Sequence, residues 1–409
     1  MKEFFTVMDV DQVLALVGEF SPTPTETVAL GGATGRVLAR EVTAASDLPG
    51  FARSTVDGYA VQAASTFGAS EGSPALFDVI GAIAMGAAAE VAIGPAQAAR
   101  IATGGALPPG ADSVVMLEHA DMVDERTIEV LRSVAPGQHV IAADEDYPAG
   151  SVVAAAGRRL RPQDTGVLAA IGTTRVDVHQ RPKVAIISTG DEVVPIDAVP
   201  GPGQVRDVNS FTLAGLVADA GATPVALGII RDDFDALRAA SARAVAECDM
   251  VLISGGSSVG VRDFTVAVIS SFPDSRILVH GISISPGKPT ILARVLNRPF
   301  WGLPGHVASA MVVFAQIVKP FLLQLAGIHA PLAQEVRLPA RLSRNLVSAQ
   351  GRTDFVRVRV VSGEEGLWAE PILGKSGLLN TMVKGDGVIE IEKNVEGLEV
   401  GARVEVILF

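Results

Sequence analysis

The spacing of apolar residues changes along the chain, and each change predicts a different kind of structure. Apolar residues recur at helical intervals over 8–20, with acids in the first turn, so this segment predicts an opening helix. From 27 to about 180, short runs of Val, Ala and Ile alternate with turns. This pattern indicates a β-rich region with one helix over 161–171.

From residue 181 onward, strand-like apolar runs alternate with segments of helical spacing. Such alternation is typical of βαβ units and predicts a mostly parallel sheet. Asn209 and Ser210, at the start of the first helix, predict its N-cap. The predicted strands are 184–187, 224–230, 250–254, 276–279 and 290–295, and the predicted helices are 210–220, 234–247, one from 263 and one from about 307.

The final region, 335–409, is predicted to form a small β domain, because apolar and polar residues alternate along its strands. The preceding stretch, 307–327, is strongly apolar, yet it contains Gln316, Lys319 and Pro320. We therefore expect a buried helix there and not a membrane span. The predicted strands of the β domain are 355–361, 367–372, 388–391 and 404–408.

Length, charge and cysteine content narrow the class of protein. A chain of 409 residues exceeds one ordinary hydrophobic core, so roughly three or four domains are expected. With a net charge of -12 and no basic run, the chain is not expected to bind nucleic acid or an anionic membrane. The single Cys248 excludes a disulfide framework, and acids at 9 and 11 argue against a secretory signal. A cytoplasmic protein is expected.

Four glycine-marked loops, each after a short apolar run, are the most informative feature of the sequence. Loops that leave the carboxyl ends of parallel strands gather on one edge of a sheet, where glycines let backbone N–H groups approach a ligand. Such an edge suits phosphate or another oxyanion. The loops are 188–192, 254–260, 285–289 and 303–306.

Acidic residues are concentrated at the same predicted strand ends: Asp191, Glu192, Asp232, Asp233 and Asp263. Mg²⁺ binds carboxylate and phosphate oxygens together, so acids beside an anion-binding loop favour metal-assisted phosphate chemistry. Any single acid could instead open a helix, where the helix dipole favours it. The convergence of several acids on one edge favours the metal hypothesis.

Lys288, between Gly287 and Pro289, lies in a rigid loop from which its ammonium group can reach a phosphate; the alternative is an exposed turn lysine. The loop is not a Walker motif, because Pro289 replaces the required Ser or Thr. Residues 374–376 (Gly-Lys-Ser) lack the upstream glycine of that motif, and no G-x-G-x-x-G motif occurs. A phosphate site of another type is therefore expected.

Residues 256–260 match the G-x-S-x-G pattern of a hydrolase nucleophile elbow, but the next helix is predicted only from 263, which argues against that elbow. The six histidines lack metal-ligand spacing. In the β-rich half, the pair Asp57-Gly58 is typical of a tight turn. On these residues alone, neither the histidines nor Asp57 predict a site.

One ordered set of motifs runs through the chain: Pro-Gly-Phe at 49–51, Asp-Gly-Tyr-Ala at 57–60, Thr103-Gly104, the loops 188–192 and 255–260, Pro-Gly-Lys-Pro at 286–289 and Leu-Pro-Gly at 303–305. This set resembles the MoeA/gephyrin family of molybdopterin molybdenumtransferases over essentially the whole chain. The resemblance implies a multidomain α/β plus β fold. Its implied parts are a discontinuous linking domain (1–46 and 140–180), an inserted β-rich domain (47–139), a doubly wound, mostly parallel α/β molybdopterin-binding domain (181–328) and a C-terminal β-barrel domain (329–409).

The resemblance also implies a reaction, in which Mg²⁺, molybdate and adenylylated molybdopterin give the molybdenum cofactor and AMP. It implies a homodimer whose active site is shared between subunits, with a molybdopterin adenylyltransferase as a possible partner. Two other functions stay open: molybdopterin adenylylation itself, and a non-catalytic scaffold of the gephyrin type. The additional β domains and the Asp57 segment favour molybdate insertion.

Residue roles follow from the same resemblance. Asp57, Thr103, Asp232 and Asp263 are expected to be catalytic, with Asp57 and Thr103 reaching the site from the partner subunit. Asp191, Glu192 and Asp263 are expected to bind Mg²⁺, and Asp146 matches a further family position. The expected substrate-binding residues are Ser188, Gly190, Gly255, Gly256, Ser257, Ser258, Gly260, Ser285, Gly287, Lys288, Pro304, Gly305 and Ser376.

The chain departs from the family pattern at three positions. Many members carry a lysine where this chain has Ser285, and an asparagine where it has His306 or Arg53. Loss of a lysine beside an anion weakens binding unless another cation replaces it. Arg262, His280 and His306 are the candidates for that replacement, and the preference between molybdate and tungstate stays open.

Overall fold

A computed structural model describes residues 7–409 except 256–258, 334 and 365, together with the backbone but not the side chains of 259–263. The opening helix runs over Val10–Leu14 and continues as a 3-10 helix over Ala15–Glu19, which confirms the prediction for 8–20. Its buried face holds Val10, Val13 and Val17. These side chains pack against the α/β region, so the start of the chain is anchored to the domain with the glycine loops.

Segments from both ends of the first 180 residues pair with each other. Thr25–Ala29 pairs antiparallel with Arg175–His179, and Val42–Thr43 pairs with Val152–Ala154. The predicted helix at 161–171 is confirmed as Pro162–Ala170. The side chains around Leu38, Leu160 and Leu168 form one apolar cluster there.

A six-stranded sheet lies between those two segments in the sequence. Its second strand, Gly58–Val61, pairs antiparallel with two neighbours, Gln97–Ile101 and Ser113–Met116. Phe77 and Ile128 pack in its core with Tyr59. The strands, in spatial order, are Ser113–Met116, Gly58–Val61, Gln97–Ile101, Ala75–Ala82, Thr127–Val130 and Ala120–Met122.

The α/β region contains the second six-stranded sheet. Its first four strands are parallel, and the last two are antiparallel to their neighbours. In spatial order they are Thr223–Ile230, Lys183–Thr189, Met250–Gly255, Arg298–Leu303, Ile291–Val295 and Arg276–His280. Leu213 and Val312 pack on one face of this sheet, and Leu237 and Val268 pack on the other. The doubly wound, mostly parallel fold is therefore confirmed.

Two predictions in this region were wrong. The strand Arg298–Leu303 was not predicted. It forms a hairpin with the preceding strand, Ile291–Val295, through a two-residue turn at Leu296 and Asn297, both of which have positive φ. The third helix begins at Val259 and not at 263. The other two are confirmed as Asn209–Asp219 and Phe234–Glu247.

A long helix follows the last loop and is almost entirely buried. It consists of Val307–Val313, a π-helical segment Phe314–Val318, and Lys319–Leu325. By length and composition alone, 307–325 could cross a membrane, but 78% of its apolar window is buried inside the protein. Phe321 packs edge-on against Phe20 and Trp301. The predicted buried helix is confirmed.

The C-terminal region forms a closed five-stranded barrel. Its strands, in order around the barrel, are Thr353–Gly363, Gly366–Pro371, Arg337–Leu342, Arg403–Leu408 and Gly387–Ile391, and the last pairs back with the first. The sequence pattern missed Arg337–Leu342. A further short strand, Ile284–Ser285, pairs parallel with Thr353 and Asp354 at one edge. The third glycine loop therefore leaves the barrel sheet and not the α/β sheet, contrary to the prediction that all four loops share one sheet edge.

Candidate active site

Three of the four glycine loops meet at the carboxyl edge of the α/β sheet. Ser188 lies opposite Ser254, and Ser254 lies opposite Leu303, so their strands end side by side. Gly255 has φ +149, and a Cβ there would overlap the carbonyl oxygen of Thr189. Only glycine allows the first two loops to come this close.

A polar network at the start of the helix Asn209–Asp219 holds these loops together. Asn209 donates from Nδ2 to Ser254 Oγ (2.6 Å) and to the Gly305 carbonyl oxygen (2.9 Å). Ser188 Oγ donates to Asp207 Oδ1 over 2.8 Å and lies 2.9 Å from Ser210 Oγ. The N-cap predicted for Asn209 and Ser210 was wrong, because neither side chain caps the helix. Asn209 instead holds the second loop at Ser254 and the fourth loop at Gly305, and Ser210 contacts the first loop at Ser188.

These loops border the smaller of two neighbouring clefts, with a volume of about 410 Å³. Four predicted site residues line it: Ser188, Glu192, Gly255 and Gly305. Gly190 has φ +143, and a Cβ there would lie 2.6 Å from Glu192 Oε2, so glycine leaves room for this carboxylate. The smaller cleft thus combines close-packed backbone with two acidic side chains, Glu192 and Asp207, and one arginine, Arg206, which suits a phosphate group that carries a cation.

The larger cleft, about 840 Å³, lies between the α/β region and the barrel. Its lining includes five predicted substrate-binding residues: Ser285, Gly287, Lys288, Pro304 and Ser376. Gly287 has φ +119, and a Cβ there would overlap the side chain of Val313. The structure therefore divides the predicted substrate-binding residues between two clefts.

Two arginines that the sequence analysis missed also line the larger cleft. Arg352 forms an ion pair with Asp354, 2.8 Å from Nε to Oδ1. Arg357, which is buried, donates to Thr381 Oγ1 (3.1 Å) and to the Gly374 carbonyl oxygen (2.8 Å). Burial lowers the pKa of Arg357, but an arginine side chain stays protonated in proteins. Together with Lys288, these side chains make the larger cleft cationic, which suits an oxyanion. Arg357 alternates with Val356 and Val358, which pack in the barrel core, so it lies on the outer face of its strand.

His306 is common to the two clefts and lines both of them. It precedes the helix Val307–Val313, and its Nδ1 lies 2.9 Å from Ser376 Oγ. The carbonyl oxygen of Ser376 accepts a bond from the Ala308 N–H over 3.1 Å. This pair of contacts fastens the fourth loop to the barrel.

The predicted acids behave differently from one another. Thr189 Oγ1 donates to Asp232 Oδ1 over 2.7 Å, and the Asp232 N–H approaches Asp191 Oδ1 at 3.4 Å, so Asp191 and Asp232 are neighbours. Asp233 accepts from the Ala236 N–H and caps the helix Phe234–Glu247. Among the described residues, no group of three or more His, Cys, Asp or Glu forms a metal cage. Two carboxylates plus substrate oxygens nevertheless match the ligands that Mg²⁺ prefers.

Several predicted positions lie outside the described residues. These are Gly256, Ser257 and Ser258, which include the serine of the G-x-S-x-G match. Gly260 and Asp263 belong to the helix Val259–Ser270, but the side chain of Asp263 is not described.

Asp57 and Thr103 form a pair of their own in the six-stranded sheet of the β-rich region. Asp57 Oδ1 accepts from the Thr103 N–H (2.7 Å) and hydroxyl (3.1 Å). These bonds, the backbone one first, hold the pKa of Asp57 below its ordinary value. Gly58 does not form the expected tight turn: it begins a strand, where a Cβ would overlap the Val115 carbonyl oxygen. Neither member of the pair lines either cleft within this chain.

Comparison with known proteins defines the class of this fold and site. Three family models match in succession: MoeA N-terminal region (domain I and II) over 8–172, probable molybdopterin binding domain over 185–324, and MoeA C-terminal region (domain IV) over 339–409. The three models cover most of the chain, so the fold is that of a molybdopterin biosynthesis protein.

Individual relatives make the assignment specific. A molybdopterin molybdenumtransferase of Bacillus subtilis is 33% identical over 100% of this chain and 95% of its own length. A putative molybdopterin biosynthesis protein of Methanocaldococcus jannaschii is 35% identical over 92% and 90%. The crystal structure of a MoeA protein from Pyrococcus horikoshii, 32% identical, covers 99% of this chain and 100% of its own, with a TM-score of 0.85. The chain belongs to the MoeA family, and the prediction of a transferase of the molybdopterin molybdenumtransferase class is confirmed.

Proposed function

We propose that this chain inserts molybdate into adenylylated molybdopterin in a Mg²⁺-dependent reaction that releases AMP. The observation that carries the proposal is the pair of adjoining clefts with different chemistry. The reaction must hold a small oxyanion and a phosphoanhydride at the same time, and then cleave the anhydride near the atoms that receive the metal. One cationic cleft and one loop-lined cleft, in contact at His306, meet that requirement.

The larger cleft is assigned to molybdate. Lys288 and Arg352 supply positive charge, and Ser285 and Ser376 supply hydroxyl donors. Gly287 and Pro304 shape its wall. Many family members have a lysine where this chain has Ser285. Arg352 and Arg357 compensate for the loss of that positive charge, because they add cations to the cleft from the barrel side.

The smaller cleft is assigned to the phosphates of the adenylylated pterin. The family pattern adds the loop 255–260, and the supporting contacts come from Ser188, Gly190, Gly255 and Gly305. Mg²⁺ would be held by Asp191, Glu192 and Asp263 together with substrate oxygens, and Asp232 would order Thr189 beside them. The ion would neutralise the charge on the anhydride oxygens.

Asp57 and Thr103 are assigned to the site of the partner subunit in a homodimer. Neither residue lines the larger or the smaller cleft of its own chain, and the lowered pKa keeps the Asp57 carboxylate ionised, so that it carries a negative charge into the partner's site. We further propose the domain division 1–46 with 140–180, 47–139, 181–328 and 329–409, a cytoplasmic location, and a molybdopterin adenylyltransferase as the source of the substrate.

The direct test supplies purified protein with adenylylated molybdopterin, molybdate and Mg²⁺. We expect AMP release and formation of a cofactor that activates an apo-molybdoenzyme, both lost on removal of Mg²⁺. Consumption of ATP and accumulation of adenylylated molybdopterin would instead establish the adenylyltransferase function. Absence of both reactions would favour a scaffold.

The shared site has its own test. Asp57→Ala and Lys288→Ala subunits are co-expressed with different tags, and mixed dimers are isolated. Each mixed dimer retains one intact site if the site is shared, so we expect about half of wild-type activity in that fraction. Inactive mixed dimers would contradict the assignment. Asp124→Ala is a matched control, because Asp124 is also an exposed turn acid of this region that accepts two backbone N–H bonds.

A further inference from the structure

His306 occupies a position that no other described residue shares, since it is the only one among them that lines both clefts. The two residues that precede it line different clefts: Pro304 lines the larger cleft, and Gly305 lines the smaller one. The same holds for the barrel turn that His306 contacts, where Ser376 lines the larger cleft and Gly377 lines the smaller one. The imidazole is exposed and stands between the two clefts.

One nitrogen of this imidazole is already engaged. Nδ1 lies 2.9 Å from Ser376 Oγ, a hydroxyl that can accept when Nδ1 carries a proton. The backbone bond from Ala308 to Ser376 holds the barrel turn in place behind it. In the described part of the chain, Nε2 has no protein partner, so it can donate to a ligand oxygen.

The charged surroundings of His306 are mixed. The larger cleft presents more positive than negative groups, and the smaller cleft presents two acids and one arginine. The ionisable side chains that line the clefts are Lys288, Arg352, Asp354 and Arg357 on the larger side, and Glu192, Arg206 and Asp207 on the smaller side. An anion that enters beside the imidazole adds negative charge to this set and favours the protonated ring.

We propose that His306 is an anion-binding residue shared by the two ligands: the protonated ring donates through Nδ1 to Ser376 and through Nε2 to an oxygen of the bound oxyanion or phosphate. Only the identity of the ligands rests on the proposed function. Because a charge-assisted bond forms only with the protonated ring, anion binding takes up a proton. Loss of the ring proton removes this charge-assisted bond, so the affinity falls as the pH rises.

Molybdate binding by the full-length protein is measured by calorimetry between about pH 6 and about pH 8.5, in two buffers of different ionisation enthalpy. For the wild type we expect about five- to tenfold weaker binding at the upper end, and proton uptake on binding near the middle. His306→Gln keeps a neutral donor, so it should bind weakly at every pH with no extra proton uptake. His306→Lys should bind tightly throughout.

A histidine outside both clefts provides the matched control. His119→Gln lies in the β-rich region and should behave as wild type. Equal pH dependence and equal proton uptake in wild type and His306→Gln would overturn the proposal, and so would failure of molybdate to bind the wild type at any pH. Folding of each variant is checked by its unfolding temperature.

The result of this binding experiment can be distinguished from the result of the activity assay that tests the proposed function. Protein that makes no cofactor but shows His306-dependent proton uptake would overturn the reaction and support this inference. Active protein whose molybdate binding ignores His306 would support the reaction and overturn this inference.

Discussion

Replacement of Asn209 by aspartate tests how much the polar network that joins the glycine loops contributes to the stability of the protein. The two groups that Asn209 contacts respond differently. The Ser254 hydroxyl can reverse its role and donate to a carboxylate, whereas the Gly305 carbonyl oxygen can only accept. Asn209→Asp therefore retains the first contact and turns the second, at 2.9 Å, into repulsion between two oxygens.

The expected cost follows from this single lost bond. A partly buried acceptor left unpaired destabilises a protein by about 1–3 kcal/mol. The cost should shrink at low pH, because a protonated carboxyl group can donate to Gly305 again. Repulsion raises the pKa of the introduced acid in the folded state, so stability is recovered as the pH falls through that raised value.

Urea unfolding of Asn209→Asp in a Trp368→Phe background measures this effect, because Trp301 is then the single tryptophan and is buried in the same sheet. We expect a lower free energy of unfolding by about 1–3 kcal/mol near pH 8 and a smaller deficit near pH 5. Asn394→Asp, at an exposed residue, is the matched control. An unchanged free energy of unfolding, or a deficit that is the same at both pH values, would refute the reasoning.

Three further substitutions test other parts of the molecule. Asp57→Ala should lower the rate of AMP release by about 100-fold or more with an unchanged unfolding temperature, because an exposed carboxylate contributes little to the core; full activity would remove Asp57 from the mechanism. Ser285→Lys should tighten molybdate binding by roughly three- to tenfold in calorimetry, because it adds a cation beside Lys288; unchanged binding would show that charge does not limit this cleft. Asp164→Asn removes a carboxyl group whose pKa a hydrogen bond from Arg161 lowers to about 2. We expect a loss of about 1 kcal/mol at pH 7 after allowance for solvent screening, fading as the pH falls from about 4 towards 2, and urea unfolding at pH 7 and near pH 3 decides it.

The sequence predicted the elements whose period is long and regular. The first three strands of the βαβ alternation and the helices Asn209–Asp219 and Phe234–Glu247 were found within a residue or two, because their apolar faces repeat along many residues. The hairpin at Leu296 and Asn297 was missed, because leucine is not a typical residue for a turn with positive φ.

The site was predicted in composition but not in arrangement. The glycine loops showed which residues can approach an anion, but not that Ser285 pairs with the barrel strand at Asp354. That pairing joins residues far apart in the chain, and no local pattern encodes it. Arg352 and Arg357 were missed for the same reason, since their place beside Lys288 depends on how the barrel packs against the α/β region.

The pairing of Ile284–Ser285 with the barrel also limits how this protein can be divided. A fragment consisting of the α/β region alone would keep the loops after Thr189, Gly255 and Leu303, but the segment before Lys288 would lose the strand that aligns it. If the clefts have the proposed roles, such a fragment would retain the smaller, phosphate-binding cleft without an organised place for the metal oxyanion. The barrel supplies part of the wall of the larger cleft, and on the same proposal its deletion would separate phosphate recognition from metal selection.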